Sequence, residues 1–367
     1  MNAILDHWQF PAGGVLADNF AGSGTTLLAA RERGLAALGF DLSPLAVMVA
    51  KAKIAPYNER ALDDGLSKIL GCGSANSPQV PHRLSRAFTE AELKEINALL
   101  RPIRALRGAP RNFFLVALLC AMREFSRAVP DGGWFRWQQW PDRSEEIRDT
   151  FKRTVALMLD DVGVLNWPDG GRAARVRRAD ARKLPLGSSF VDGLITSPPY
   201  PNRHDYSRVF HIELLLLGAA ESQVTKLRHR SIRSHVEAKP PPGHTRQLRQ
   251  YKPTATLQAA LKALPPNTDR RIRRLLRGYF EDIYLSLVEV ARILRPGGRA
   301  AYVIGNVRYA GVMIPVDEIT AELASQAGLD FDASWVMRLR GNAAQQMGRY
   351  GREPSRESVV LLSKATG

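Results

Sequence analysis

Short apolar runs and amphipathic stretches alternate at the start of the chain. Val15-Leu16-Ala17 is an apolar run ending at Asp18, and a glycine-rich turn follows it. Helical spacing then runs from Thr25 to Arg33 and stops at Gly34. Leu35 to Phe40 is a second apolar run, ending at Asp41. Ser43 and Pro44 read as an N-cap and first helical position, opening a helix over Leu45 to Lys53. Strand, glycine turn, helix, strand is the opening of a doubly wound parallel sheet. From Tyr57 to Pro168 helical spacing takes over, predicting helices over Glu90 to Leu106, Asn112 to Arg127 and Ser144 to Asp161. The Pro/Gly-rich aromatic stretch Pro130-Asp131-Gly132-Gly133-Trp134-Phe135-Arg136-Trp137 interrupts it. Strand patterns return at Ala174 to Ala179 and Val191 to Thr196. A helix over Tyr279 to Leu294 leads through Arg295-Pro296-Gly297-Gly298 to a strand over Arg299 to Gly305. Trp335 to Arg340 and Ser358 to Leu362 are spaced like a broad antiparallel pair. The expected organisation is α/β: sheet-forming segments 1–56, 169–217 and 279–367, a helical insertion 57–168, and a second insertion 218–278.

Charge singles out that second insertion. The 367-residue chain carries a net charge of +16. Between Glu221 and Arg277 there are 14 Lys/Arg against 3 Asp/Glu, so most of the excess lies in one segment. Such clustering is the usual footprint of a polyanionic partner, the alternative being a solvated basic helix pair. No apolar run approaches the length of a membrane span, and Met1 to Phe10 lacks the basic start and apolar core of a secretory leader. Cys72 and Cys120 are the only cysteines, too few for a disulfide framework or a structural zinc site, and no metal is expected. A reducing, cytoplasmic setting is the expectation.

Three acids end three successive strand patterns. The turn Asp18-Asn19-Phe20-Ala21-Gly22-Ser23-Gly24-Thr25-Thr26 brings glycines and a helix N-terminus together, which lets backbone approach a ligand. It lacks the lysine of a phosphate-binding loop. Asp41, with Leu42 after it, stands where a carboxylate accepts ribose hydroxyls, or where it caps the next helix. Asp180, followed by Ala181, stands where a carboxylate takes an adenine amine, or is a solvated strand-end acid. A ribose-binding acid without a phosphate-binding lysine suits a phosphate-free nucleoside such as S-adenosylmethionine. The expected cofactor contacts are Asp18, Phe20, Gly22, Gly24, Thr25, Asp41, Leu42, Asp180 and Ala181.

Directly after the strand pattern ending at Thr196 comes Ser197-Pro198-Pro199-Tyr200. Two prolines fix φ and remove donors, leaving a stiff loop that offers carbonyl oxygens, and the tyrosine adds a flat face. In this order the chain resembles the amino-methyltransferases of DNA. The likeness rests on Asp18 to Thr26, Gly39 to Ala46, Asp180 and Ser197 to Tyr200. It continues through Leu294 to Gly298, Ile304-Gly305-Asn306 and Arg356-Glu357-Ser358-Val359. The resemblance implies a Rossmann-like class I methyltransferase fold, with a mostly parallel seven-stranded sheet that ends in an antiparallel hairpin. It implies S-adenosylmethionine as cofactor, DNA as partner with a restriction endonuclease in restriction–modification pairs, and association with the nucleoid. It also implies that Ser197 Oγ and the Pro198 carbonyl accept hydrogen bonds from the exocyclic amine of a flipped base. Pro199 would keep the turn rigid and Tyr200 would stack on that base.

Serine in the first position leans towards N4 of cytosine, with N6 of adenine or an RNA base as alternatives. So is an inactive DNA-binding relative. A C5-cytosine route needs a cysteine nucleophile in a Pro-Cys loop, which neither cysteine occupies. The family segment that helps hold the methionine end of the cofactor would correspond to Phe10-Pro11-Ala12. For DNA contact the candidates are Arg203, Arg230, Arg233, Arg246, Arg249 and Lys252, with the Trp134 to Trp140 stretch as a wedge or, alternatively, a hydrophobic corner. Asn202 to Tyr206 reads equally as base-pocket lining or a solvated loop.

Overall fold

A computed structural model describes residues 1–73, 80–132, 134–139, 145–165, 173–341 and 354–366. Gly133, Trp140, Ser144 and the boundary at Pro168 lie outside them. The strands are β1 (Val15–Asp18), β2 (Ala36–Asp41), β3 (Ala128–Asp131), β4 (Trp134–Trp137), β5 (Ala174–Arg178) and β6 (Val191–Thr196). They continue with β7 (Leu294–Gly305), β8 (Val307–Tyr309), β9 (Val312–Ile314), β10 (Asp330–Arg340) and β11 (Ser355–Ser363). Seven of them form one sheet in the order β10-β11-β7-β6-β1-β2-β5. Strands β7, β6, β1, β2 and β5 run parallel, while β11 is antiparallel to both β7 and β10. This is the expected Rossmann-like architecture with its antiparallel C-terminal pair.

Alternate residues along the strands build two apolar layers, as the period of a strand requires. Leu16, Ile195, Ala301 and Val359 face helices Asn2–Trp8, Thr25–Glu32 and Pro44–Ile54. Their neighbours Ala17, Leu194, Ala300 and Val360 face helices Ala255–Ala263, Arg270–Ile293 and Val316–Gln326. Both faces of β1, β2, β6 and β7 are therefore covered, which explains their apolar runs, while the edge strand β5 is arginine-rich and largely exposed. A separate core gathers the helical insertion around Leu99, Phe113, Phe114 and Phe151, and Leu45 and Met48 join it to the helix after β2.

The chain leaves β1 towards β2 and β5 on one side, and returns through β6 and β7 on the other. The order reverses between β1 and β6, so a crevice opens there at the carboxyl ends of the strands.

Three features differ from the sequence expectation. The aromatic stretch is an antiparallel β3–β4 hairpin rather than an irregular break, with Asp131 paired to Trp134. The arginine-rich segment is the first two turns of helix Arg270–Ile293, so a boundary at residue 278 cuts through one continuous helix. Ile272, Leu275, Leu276 and Tyr279 face inward on that helix and tie its basic start to the sheet. Phe10 lies against Gly14 and Gly193. Gly193 pairs with Leu16, short of the carboxyl ends of β6 and β1, so Phe10 fills core and does not face the crevice.

Candidate active site at the carboxyl edge of the sheet

Asp18 ends β1 and is 3% exposed. Its Oδ1 accepts hydrogen bonds from Phe20 N at 3.0 Å and from Thr196 Oγ1 at 2.7 Å. Thr196 Oγ1 also accepts from Phe20 N at 3.2 Å. One carboxylate thus fastens the glycine turn to the residue immediately before Ser197. Burial raises the Asp18 carboxyl to about 6 despite these donors.

Asp41 ends β2 one strand away. Its Oδ2 accepts from Gly22 N at 2.9 Å and its Oδ1 from Ser43 N at 2.8 Å. Ser43, not Asp41, is the N-cap of the next helix, and Pro44 takes the first helical position. Burial raises the Asp41 carboxyl too. Each oxygen holds one N–H and keeps acceptor capacity, the chemistry two ribose hydroxyls require.

Gly24 has φ 84°, and a Cβ there would lie 2.9 Å from Ala50 Cβ. Only glycine allows both that backbone and that helix contact. No side chain caps the helix that starts at Thr25, so its first-turn N–H groups point to the crevice edge. Phe20 packs on the sheet core. Backbone donors, acidic acceptors and an apolar wall fit a nucleoside.

Asp180 stands two residues past β5, and Ala181 beside it is buried. Arg182 grips the Asp180 carboxylate through Nε at 2.9 Å and Nη2 at 2.8 Å. Burial raises this carboxyl, but Arg182 outweighs it and holds the group below the usual range. Arg182 also meets Asp282 at 3.2 Å and donates to the Arg230 carbonyl at 2.7 Å. The sequence reading missed Arg182, because an arginine two residues from an acid looks like ordinary surface charge.

The tetrapeptide leaves the end of β6. Ser197 is exposed and Pro198 buried, with Pro199 and Tyr200 half-buried. Ser197 Oγ donates to the Val303 carbonyl at 3.2 Å. Its proton is thereby directed away, leaving oxygen lone pairs as acceptors. Tyr200 lies on Gly305 at the end of β7, where a Cβ would come within 2.8 Å of the ring. Its hydroxyl donates to Glu357 Oε1 at 2.7 Å.

After the tetrapeptide, Asn202 and Arg203 are exposed, His204 is half-buried, and Tyr206 is exposed with its ring edge-on to His204. Asp205 is buried. It caps helix Tyr206–Val209 and pairs with Arg228 at 2.9 Å.

The DNA-contact candidates divide. Arg203, Arg230, Arg246, Arg249 and Lys252 are exposed. Arg233 is a correction: it is buried, bonding Asp282 at 2.7 Å and Glu281 at 2.7 Å, so it holds the fold together and is closed to phosphate. The hairpin aromatics are engaged as well. Trp134 stacks on Phe135, with Arg208 4.3 Å above it, and Arg86 lies 4.1 Å over Trp137. This fits the hydrophobic corner better than a free wedge.

No family model matches the chain. It is 26% identical over 423 residues to type II methyltransferase M.BsoBI of Geobacillus stearothermophilus, covering 98% of this chain and 82% of that protein. It is likewise 26% identical over 401 residues to type II methyltransferase M.AvaI of Nostoc sp., covering 99% of this chain and 83% of that one. Among solved structures, a TehB-like SAM-dependent methyltransferase from Corynebacterium glutamicum aligns with 99% of this chain and 86% of its own at 10% identity and TM-score 0.32. The two near full-length likenesses bear out the resemblance to DNA methyltransferases read from the sequence motifs.

Proposed function

We propose, with kinship to the type II methyltransferases as the premise, that this chain methylates DNA at a specific site. The target is an exocyclic amine of a flipped base, N4 of cytosine. The observation that carries this reading is the Thr196–Asp18 hydrogen bond of 2.7 Å. It joins the candidate cofactor turn to the candidate base loop with no residue between Thr196 and Ser197.

S-adenosylmethionine, when bound, supplies an activated methyl group. Asp41 would accept its ribose hydroxyls, Asp180 and Ala181 would border its adenine, and the turn from Phe20 to Thr25 with Leu42 would enclose the rest. An exocyclic amine is a poor nucleophile because its lone pair is delocalised into the ring. Ser197 Oγ and the Pro198 carbonyl accept its N–H bonds and help localise that pair. Pro199 keeps the acceptors in place, and most of the rate gain comes from orientation and prearranged dipoles. Tyr200 supplies the stacking face.

The exposed Arg203, Arg230, Arg246, Arg249 and Lys252 neutralise phosphates. Among the described residues no helix is long and apolar enough to cross a membrane. Type II methyltransferases of restriction–modification pairs work beside a cognate endonuclease, and such a partner is part of this proposal.

Mass spectrometry of nucleosides from DNA of cells expressing the protein tests the reading. N4-methylcytosine is the expected product. N6-methyladenine would replace the base, and unmodified DNA beside modified RNA would overturn the substrate class. Ser197→Ala should lower turnover about 100-fold, the scale for one prearranged polar group, without weakening cofactor binding. Equal loss of both would contradict its role.

A further inference from the structure

We infer that Glu357 is a positioning residue that fixes where the Tyr200 ring stands, working from a neighbouring strand through the tyrosine hydroxyl. The inference rests on the proposed DNA methyltransferase reading. Four contacts define the ring, one of them the Ser197 hydroxyl beside the tyrosine's own. Gly305 supports it from below, with space for no side chain. Arg340 lies 5.9 Å from its centroid. Glu357 Oε1 accepts from its hydroxyl at 2.7 Å. Glu357 and Gly305 are register partners on β11 and β7, so the strand pairing itself sets where the acceptor stands relative to the ring's support.

The acid is built into place. Glu357 is buried, and its other oxygen takes Arg338 Nε from β10. Both partners keep it charged: burial raises its carboxyl, but Arg338 and Tyr200 outweigh that and hold it below the usual range. A tyrosine ring has two side-chain torsions, and the close Gly305 contact restricts the second, which sets the ring plane. The hydroxyl oxygen lies on the axis of that second torsion, so its hydrogen bond to a charged acceptor fixes the first, and with it the position of the ring's far end. A base stacking on Tyr200 then meets the ring in one position, which keeps its amine aligned with Ser197 and Pro198. Arg356 and Ser358, the flanking residues on β11, both bind Asp317, so Glu357 alone of the three is directed at the tetrapeptide.

The test uses the full chain and tritiated S-adenosylmethionine, with genomic DNA from a methylation-free strain as acceptor. Initial rates give kcat, and calorimetry gives cofactor affinity. Glu357→Ala should lower kcat about 10-fold, the effect of one hydrogen bond to a charged acceptor, with cofactor affinity unchanged. Glu357→Gln keeps an amide oxygen for the tyrosine and should restore most of the rate. In a Tyr200→Phe background, Glu357→Ala should change kcat no further, because the bond it acts through is already gone. Equal losses in both backgrounds, or an unchanged rate in Glu357→Ala, would overturn the inference. If Glu357→Ala does not fold, Tyr200→Phe and Glu357→Gln still decide: the first must lose rate and the second must keep it. A wild-type protein that transfers no methyl to DNA would instead sink the underlying reading, a result separate from active enzyme with additive variants.

Discussion

The acids at the crevice and the acids around it have opposite surroundings. Asp18 and Asp41 receive backbone N–H groups and, at Asp18, threonine hydroxyls. Asp180, Asp205, Asp282 and Asp317 each lie against an arginine. The consequences diverge accordingly. Burial raises the Asp18 and Asp41 carboxyls, whereas at Asp180 and Asp317 arginine outweighs burial and lowers them. A buried carboxylate without a counterion costs stability, and such costs gather at functional sites. Asp18 fastens the glycine turn to the loop after β6, Asp41 keeps acceptor capacity that the proposed cofactor would use, and the arginine-paired acids hold elements together. Asp180 straddles the two groups: it sits at the crevice, yet its carboxylate is gripped by Arg182.

The largest expected effect lies on the structural side. Arg233→Ala leaves Asp282, 0% exposed, with one guanidinium fewer, and should cost about 3 kcal/mol of stability in urea denaturation. An unchanged midpoint would break the division between the two groups of acids. At the crevice the sign reverses. The Asp18 carboxyl rises from its ordinary 3.8 to about 6 on folding, so the folded state keeps that proton to higher pH. Its contribution to stability therefore falls as pH climbs from about 4 to about 6, by about 3 kcal/mol at most. Asp18→Asn should flatten that slope in a series of denaturation midpoints against pH. A slope identical to wild type would show that Asp18 has a counterion after all. The smallest effect belongs to Arg246, exposed and with no acid against it among the described residues. Arg246→Ala should leave stability unchanged and reduce the salt dependence of DNA binding by about one released counterion. An unaltered slope would remove it from the DNA surface.

The centre of the sheet was legible in the sequence because its strands are buried on both faces. Val191 to Thr196 reads as a strand and is one, end to end. Asp18 and Asp41 were visible as the first polar residue after an apolar run, and Asp180 as the acid closing the third strand pattern. Charge pairing was not legible. Arg233 is separated from Asp282 by 49 positions, and nothing local distinguishes it from exposed Arg230. The β3–β4 hairpin was hidden because Pro130 and a glycine-rich turn look irregular without the cross-strand partners of Trp134 and Trp137. Glu357 was readable only as part of a family-like tail, since its contact with Tyr200 spans 157 positions.

Equilibrium binding of S-adenosylmethionine to wild type and Asp41→Ala, followed by calorimetry, puts the whole account at risk most directly. The account expects one site per chain in the wild type and at least about tenfold weaker binding in the variant, the scale of losing a charged hydrogen-bond acceptor. Wild type and variant binding alike, or a wild type that fails to bind at high micromolar cofactor, would contradict it.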